Sequence, residues 1–317
     1  MSKLVSFVLP AYKARFLKQA LDSILLQTYK DFDLIVVNDA SPEDIDSIIM
    51  SYTDPRIKYY KNKTNVGGQN LVKQWNYSIS LCNSEYFVLA SDDDVYDSMY
   101  LEKMLALAKK YPDVNILRPR VQLIDAQNNI YKVESYLNER TSVWEFVYSL
   151  HSHYIFGGVP FYMFKKSKWE EIGGFIDFPV AWCSDDATAI SLAKEYDMVI
   201  SNEILFSFRM SGENITTQKN NKPKLHQKIQ ARILYYEFLN QILIKAVPQG
   251  QRDAFYLTSL KNNLKTTMLR SIYELLCDST LLACIMSIRK LLRIPFVTSK
   301  WLLICCIKRC GQVILGY

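Results

Sequence analysis

Histidine is scarce in this chain, three in 317 residues, and the seven cysteines show no CxxC spacing. A zinc centre lacks both the ligands and the spacing it needs, and no Ser/His/Asp set can be assembled around His151, His153 or His226. No apolar run reaches the roughly 20 residues that span a bilayer. Internal repeats and low-complexity segments are also missing. The odd set of Cys82, Cys183, Cys277, Cys284, Cys305, Cys306 and Cys310, with no signal peptide ahead of Met1, fits a reducing cytosol, so a cytoplasmic location is expected. Acidic residues stop at Asp278, whereas Arg289, Lys290, Arg293, Lys300, Lys308 and Arg309 lie beyond it. Those six cations account for the whole formal charge of +6, which leaves the body of the chain neutral. A neutral body argues against nucleic acid as a partner, and a basic tail is expected to meet an anionic surface.

What is present is apolar substance: 49% hydrophobic and 13% aromatic residues, enough for a sizeable core. The stretches "LVSFVLP" (4–10), "FDLIVVND" (32–39), "IKYYKN" (57–62) and "YFVLAS" (86–91) read as short strands covered on both faces. Helical periodicity lies between them, with Phe16, Leu17, Ala20, Leu21, Ile24 and Leu25 on one face and Leu71, Val72, Trp75 and Ile79 on another. This alternation predicts an α/β fold with a doubly wound, mostly parallel, Rossmann-like sheet. Residues 115–209 mix strand-like runs with a helix around 187–196 and read as a continuation of the same domain. From Lys224 the pattern turns to long helices, followed by the basic tail.

Three predicted strands end in polar residues: Pro10-Ala11-Tyr12, Asn38-Asp39 and Asp92-Asp93-Asp94. In a parallel open sheet these carboxyl ends share one edge, where a ligand crevice forms. Two carboxylates about 4 Å apart repel by roughly 4 kcal/mol at an effective dielectric near 20, so the triplet must take up a proton, face water or hold a cation. Oxygen-only ligands favour Mg²⁺ or Mn²⁺, with a substrate diphosphate completing the shell. A solvated acidic turn is the plainer alternative.

The ordered set "SFVLPAYKARFLKQALDSILLQTYKDFDLIVVNDAS", "NVGGQNLVKQWN", "ASDDDVY", "GGF" and "WCSDDA" resembles the family 2 glycosyltransferases over roughly residues 3–215. The resemblance implies a GT-A fold over 1–215, with a nucleotide-sugar part near 1–114, an acceptor part near 115–215, and a helical C-terminal region over 216–317. It implies that Pro10, Ala11 and Tyr12 line a nucleoside pocket and that Asp39 hydrogen-bonds the base, with uracil presenting a suitable N–H. Asp92, Asp93 and Asp94 cover the family's DxD element; Asp94 is the first expected metal ligand and Asp93 the second, while Asp92 and Asp93 meet the donor. Asn65, Gly67 and Gly68 precede a helix whose free N–H groups can approach the donor. Asp39 and Ser41 have a simpler alternative as a helix cap, and the glycines as a turn. Trp75 stands where the family often has an Arg, with Lys73 nearby, so the resemblance does not by itself carry over a phosphate contact from that helix.

By the same resemblance Asp186, with Asp185 beside it, aligns with the acidic base that takes the acceptor proton, with an N-cap as the alternative. Arg209 and Asn214 match a late loop near the diphosphate, His226 is a conceivable extra ligand, and Trp182 is an acceptor-stacking or packing residue. The implied reaction is a single inverting displacement from a nucleotide-diphosphate sugar to a saccharide acceptor. A lipid-linked acceptor, as in surface-polysaccharide assembly, would suit an enzyme held peripherally at the inner face of the cell membrane. Leu281, Ile285, Ile288 and Leu292 share a helical face in the tail, with Pro295 beyond them, and helices there would serve a membrane surface or a homodimer. A processive synthase would show QxxRW and membrane spans, and a nucleotidyltransferase a glycine-rich loop where this chain has "LPAYKARF". A catalytically silent nucleotide-sugar-binding or scaffold protein is the alternative from another class.

Overall fold

Val5, Phe7, Val8 and Leu9 have no exposed surface, so strand β1 (Val5–Ala11) is covered on both faces, as a central parallel strand must be. The computed structural model describes residues 3–212, 222–277, 279–292 and 297–298. After β1 come α1 (Leu17–Leu25), β2 (Phe32–Asn38), α2 (Ile45–Met50), β3 (Ile57–Lys61), α3 (Leu71–Ser80) and β4 (Tyr86–Leu89). The apolar stripe of α1 is the buried one, with Leu17, Ala20, Leu21 and Ile24 inside. Then follow β5 (Val95–Tyr96), α4 (Tyr100–Lys110), β6 (Ile116–Ile124), β7 (Ile130–Val133), β8 (Arg140–Thr141), α5 (Val143–His151), β9 (Met163–Lys165), α6 (Lys166–Glu171), α7 (Ser184–Ala193) and β10 (Met198–Arg209).

These strands form one sheet in the order β3-β2-β1-β4-β9-β6-β10-β5, with β7 on β6 and β8 on β10. The run from β3 to β4 is parallel throughout, β6 and β10 are parallel, and β9 is antiparallel to both β4 and β6. Ala11 lies opposite Asn38, and Val8 opposite Leu89, so the residues after β1, β2 and β4 emerge at one edge. The α/β class and the mostly parallel sheet expected from the strand and helix alternation are what the chain adopts.

The described residues up to Asp177, with Ser184–Ser211, make one compact unit; Phe178–Cys183 and the described residues from Gly212 onward make a second. The second unit contains α8 (Lys222–Lys245), α9 (Gln251–Cys277) and α10 (Leu281–Leu291) around Leu225, Ile229, Met268, Ile272, Leu275, Ala283 and Leu291. Within the helical unit α10 packs through a face other than the one expected to meet a membrane surface or a second copy. Ala283, Ser287 and Leu291, spaced four apart, are buried, while Ile285 is 56% exposed and Leu292 44%. Small residues at 283 and 287 allow close approach, and the Ser287 hydroxyl is satisfied by the Ala283 carbonyl and the His226 ring. Among the described residues no helix is long and apolar enough to cross a membrane. Asn214, Arg293, Pro295, Lys300, residues 301–307, Lys308 and Arg309 lie outside the described residues.

The join between the parallel run and the rest of the sheet is aromatic. Phe87 on β4 faces Phe164 on β9 directly across the pair, with rings stacked at 5.0 Å, and Phe175 and Trp169 pack edge-on against them. Phe164→Ala is expected to cost about 3–5 kcal/mol through lost contact and the cavity left behind, read as a lower urea midpoint with an unchanged slope.

Candidate active site

The acidic triplet follows β4 by three residues, and burial, not exposure, is its condition: Asp94 is fully buried and Asp93 is 5% exposed. Each member has a different setting. Asp92 Oδ2 accepts the backbone N–H groups of Tyr12 at 2.8 Å and Lys13 at 2.7 Å, fixing the loop after β1 against the end of β4. Burial raises its pKa while those two bonds oppose the rise. Asp93 is pushed up to about 6, first by burial and then by the neighbouring Asp92, with Lys13 and Arg209 pulling the other way. Asp94 Oδ1 accepts the Arg209 N–H at 2.8 Å, whereas its Oδ2 is buried and accepts no hydrogen bond among the described residues. Burial and then Asp93 raise its pKa well above the carboxylate range. No group of three or more His, Cys, Asp or Glu side chains suited to a metal ion forms among the described residues, so the triplet does not converge on one point.

Arg209, expected on a loop near a diphosphate, instead ends β10 inside the protein. Its Nε donates to the Asp93 carbonyl at 2.7 Å, its Nη1 to the Asp125 carbonyl and to Asn128 Oδ1, and its Nη2 to Gln19 Oε1 at 3.0 Å. The guanidinium also lies 4.4 Å from the centre of the Phe16 ring. One side chain thereby ties α1, the triplet and the turn after β6 together. It serves as a clamp on the acidic segment, and the positive charge offsets the carboxylates from behind.

Asp39 sits at the end of β2 and is buried. Its Oδ1 accepts Asn62 Nδ2 at 2.7 Å and the Val66 N–H at 2.9 Å, and its Oδ2 accepts the Gly67 N–H at 2.7 Å. Its role as a cap of the following helix is not what the chain uses, because Asp44 accepts the Ser47 N–H at the start of α2. A Cβ at Gly67 would stand 2.9 Å from Asp39 Oδ2, so a larger residue there would displace the carboxylate. Asn65 Oδ1 takes the Gly68 N–H at 2.6 Å, and Asn70 caps α3 through the Lys73 N–H. Pro10 and Ala11 complete β1, and the Tyr12 side chain beyond them is 39% exposed. Trp75 packs edge-on to Phe175 at 5.4 Å, which accounts for an aromatic residue on that helix in packing terms.

Asp185 and Asp186 occupy the first turn of α7, where the helix dipole favours negative charge. The Asp186 N–H donates to Asp185 Oδ1 at 3.0 Å, so Asp185 serves the local turn. The chain at Gly157 runs so close that a Cβ there would lie 2.5 Å from Asp186 Oδ1. Within the helical unit, Trp182 carries Lys228 Nζ 3.9 Å from its ring centre and packs on the apolar cluster, and His226 pairs with Ser287 at 2.8 Å. Sequence patterns did not point to Arg118 and Glu134, a buried ion pair between β6 and the end of β7. Its signal was a charged residue at an inward position of the apolar run "ILRPRVQLI".

A parallel sheet edge bearing a buried acidic triplet and an ordered glycine loop, with a second acidic pair at the start of α7, is the arrangement of a GT-A glycosyltransferase. The chain belongs to glycosyl transferase family 2, whose model matches residues 6–167. An uncharacterized glycosyltransferase of Rickettsia typhi is 34% identical over 117 residues, which is 37% of this chain and 35% of that protein. One from Methanocaldococcus jannaschii is 27% identical over 232 residues, 70% of this chain and 76% of that protein. The chain thus matches little more than a third of the length of the Rickettsia typhi relative. Among solved structures, Staphylococcus aureus TarS 1-349 in complex with UDP-GlcNAc superposes with a TM-score of 0.63 at 12% identity, covering 100% of this chain and 92% of that one. The mannosyltransferase PcManGT from Pyrobaculum calidifontis, in complex with GDP-Man and Mn²⁺, gives 0.54 at 14% identity, covering 99% and 88%. At these identities the likeness is one of fold.

The raised pKa of Asp93 has a consequence for stability. Below the unfolded pKa, near 3.8, both states hold the proton and the group contributes nothing; between there and about 6 only the folded state holds it, so this contribution falls as pH rises, and above about 6 the full penalty is present. Asp93→Asn is expected to stabilise the metal-free protein at pH 7.5 by on the order of 1–3 kcal/mol and to leave it unchanged near pH 4. Thermal unfolding of both forms at the two pH values checks this.

Proposed function

We propose that this chain transfers a hexosyl or N-acetylhexosaminyl group from a nucleoside-diphosphate sugar, a UDP-sugar by preference, to a saccharide hydroxyl with inversion at the anomeric carbon. The observation that carries the proposal is Asp94 Oδ2, a fully buried carboxylate oxygen with no hydrogen-bond donor among the described residues, beside the high-pKa Asp93 at the sheet edge. A buried oxygen left in that state costs about 1–3 kcal/mol, which a bound cation would remove. The donor set is hard oxygen and suits Mn²⁺ or Mg²⁺, with Asp94 and Asp93 as ligands and the diphosphate and water supplying the rest. When bound, such an ion supplies charge neutralisation to the departing diphosphate.

The remaining roles belong to the chain itself. Asp39 has used three of its roughly four acceptor positions on Asn62, Val66 and Gly67, leaving one for the imide N–H of uracil. Pro10 and Ala11 form the floor, and the exposed Tyr12 ring offers a face to the base. Asn65 and Gly67 shape the loop beside the nucleoside, and Asp92 holds the Tyr12 segment in register. The acceptor oxygen attacks the anomeric carbon as the bond to the diphosphate oxygen breaks, and its proton passes to the Asp186 carboxylate, with Asp185 holding the turn. Residues 1–114 carry the donor and 115–215 the acceptor, with 216–317 as a helical extension. A lipid-linked saccharide acceptor in surface-polysaccharide assembly, met by the basic tail at the cytoplasmic leaflet, completes the proposal. Exposed Ile285 and Leu292 on α10 favour such an apolar contact, and the same surface would otherwise serve a homodimer.

A panel of UDP- and GDP-sugars with and without Mn²⁺ should raise Tm most when a UDP-sugar and metal are present together; no shift with any nucleotide sugar would return the chain to the silent-scaffold reading. Asp186→Asn should lower turnover by about a hundred to ten thousandfold and keep the donor-induced shift. Co-sedimentation with anionic vesicles should be lost on truncation at Asp278, and unchanged partitioning counts against the membrane assignment.

A further inference from the structure

A fully buried ion pair needs a reason, because replacing such a pair with well-packed apolar residues is often neutral or stabilising. Arg118 and Glu134 are such a pair, with side chains 1% exposed each. The guanidinium stands over the rings of Phe161 at 5.6 Å and Tyr162 at 5.7 Å, in surroundings where apolar side chains would pack well. What apolar residues there could not do is hold a backbone. Glu134 Oε1 accepts the Phe156 N–H at 2.6 Å, and Arg118 Nη1 donates to the Phe156 carbonyl at 3.1 Å. Both main-chain groups of one residue are thus gripped by the two ends of the pair. The pair in turn is fixed to the sheet, since Glu134 Oε2 accepts the Val121 N–H at 2.8 Å and Arg118 belongs to β6.

The next residue is Gly157, the point where the chain presses on Asp186. A Cβ at 157 would approach Asp186 Oδ1 to 2.5 Å and its other carboxyl atoms to 3.2 Å, so this backbone is one wall of the space in which the Asp186 side chain can turn. The route from ion pair to carboxylate is therefore short and rigid: sheet, pair, Phe156 peptide groups, Gly157, Asp186. We infer that Arg118 and Glu134 are positioning residues that set the orientation of the Asp186 carboxylate through Phe156 and Gly157. This rests on Asp186 as the general base proposed above. Neither side chain touches substrate in this scheme; their effect is on the base's alignment, where a misplacement of about 1 Å can cost on the order of a hundredfold in rate.

The test uses the full chain and follows steady-state UDP release from UDP-glucose and UDP-N-acetylglucosamine in Mn²⁺ over a range of donor concentrations. Arg118→Lys keeps a cation in place but loses the planar fork that reaches both Glu134 and the Phe156 carbonyl. It should lower kcat by on the order of ten- to a hundredfold with the donor KM and the donor-induced Tm shift unchanged. Gly157→Ala leaves the ion pair intact and crowds Asp186 directly, so it should reproduce the same kcat loss. Introduced into Asp186→Asn, Arg118→Lys should have no further effect on the residual rate, because a device that acts through a missing base has nothing left to align. A folded Arg118→Lys with wild-type kcat overturns the inference, as does a full additional loss in the Asp186→Asn background. Where Arg118→Lys does not fold, Gly157→Ala decides, and a normal kcat in that variant is equally fatal. Near-normal UDP release by Asp186→Asn would instead remove the base assignment, a different failure that leaves the pair's role to fall with it.

Discussion

Crowding of like charge at the end of a buried strand is the constraint from which the rest of this structure follows. Asp92, Asp93 and Asp94 are held where water screens them little, and the protein must manage their charge from its own groups. Asp92 is stabilised by two loop N–H groups, Asp94 by the Arg209 N–H, and the segment between them by the Arg209 guanidinium on the Asp93 carbonyl. The residual strain is electrostatic, visible in the raised pKa values of all three. Such a site is costly as it stands, and the proposed cation is what would relieve it.

The same device recurs along the sheet edge: a carboxylate at a strand or helix end accepts backbone N–H groups of a loop distant in sequence. Asp39 does this to the segment at Val66 and Gly67, Asp92 to Tyr12 and Lys13, and Glu134 to Phe156. Charge-assisted bonds of this kind are short and strong, so they order loops that have few apolar contacts of their own. Glycine appears where such a loop must come within van der Waals reach of a carboxylate, at Gly67 beside Asp39 and at Gly157 beside Asp186. Loop order at this edge is thus derived from the acidic residues themselves, which ties the proposed donor and acceptor machinery to the stability of the frame.

Strand positions were legible because their cause is local. An apolar run such as "FDLIVVN" has one low-energy environment, the middle of a covered sheet, and the helical stripes of α1 and α3 follow from spacing alone. The convergence of the three strand ends was also legible, since parallel pairing places carboxyl ends together. Less legible was what the acidic residues bind within the protein. Asp39 gave no sign in sequence of its bonds to Asn62, Val66 and Gly67, because partners 23 to 28 residues away are set by loop geometry. On α10, sequence periodicity marked Ile285 and Leu292 as an apolar face for a surface or partner, and both are exposed; the inward set of Ala283, Ser287 and Leu291 was not legible, because close helix packing rewards small side chains that a hydrophobicity pattern undervalues.

The amino-acid order by itself determined the α/β class, the position of the acidic clusters on the chain and their membership in an ordered motif set, since each depends on spacing over a few residues. Tertiary structure alone decided that Arg209 clamps the triplet from 115 residues away and that Arg118 and Glu134 grip the Phe156 peptide groups. Those contacts join groups far apart along the chain, and a charged side chain becomes a partner of one particular backbone only when the folded sheet removes the water that would otherwise satisfy both.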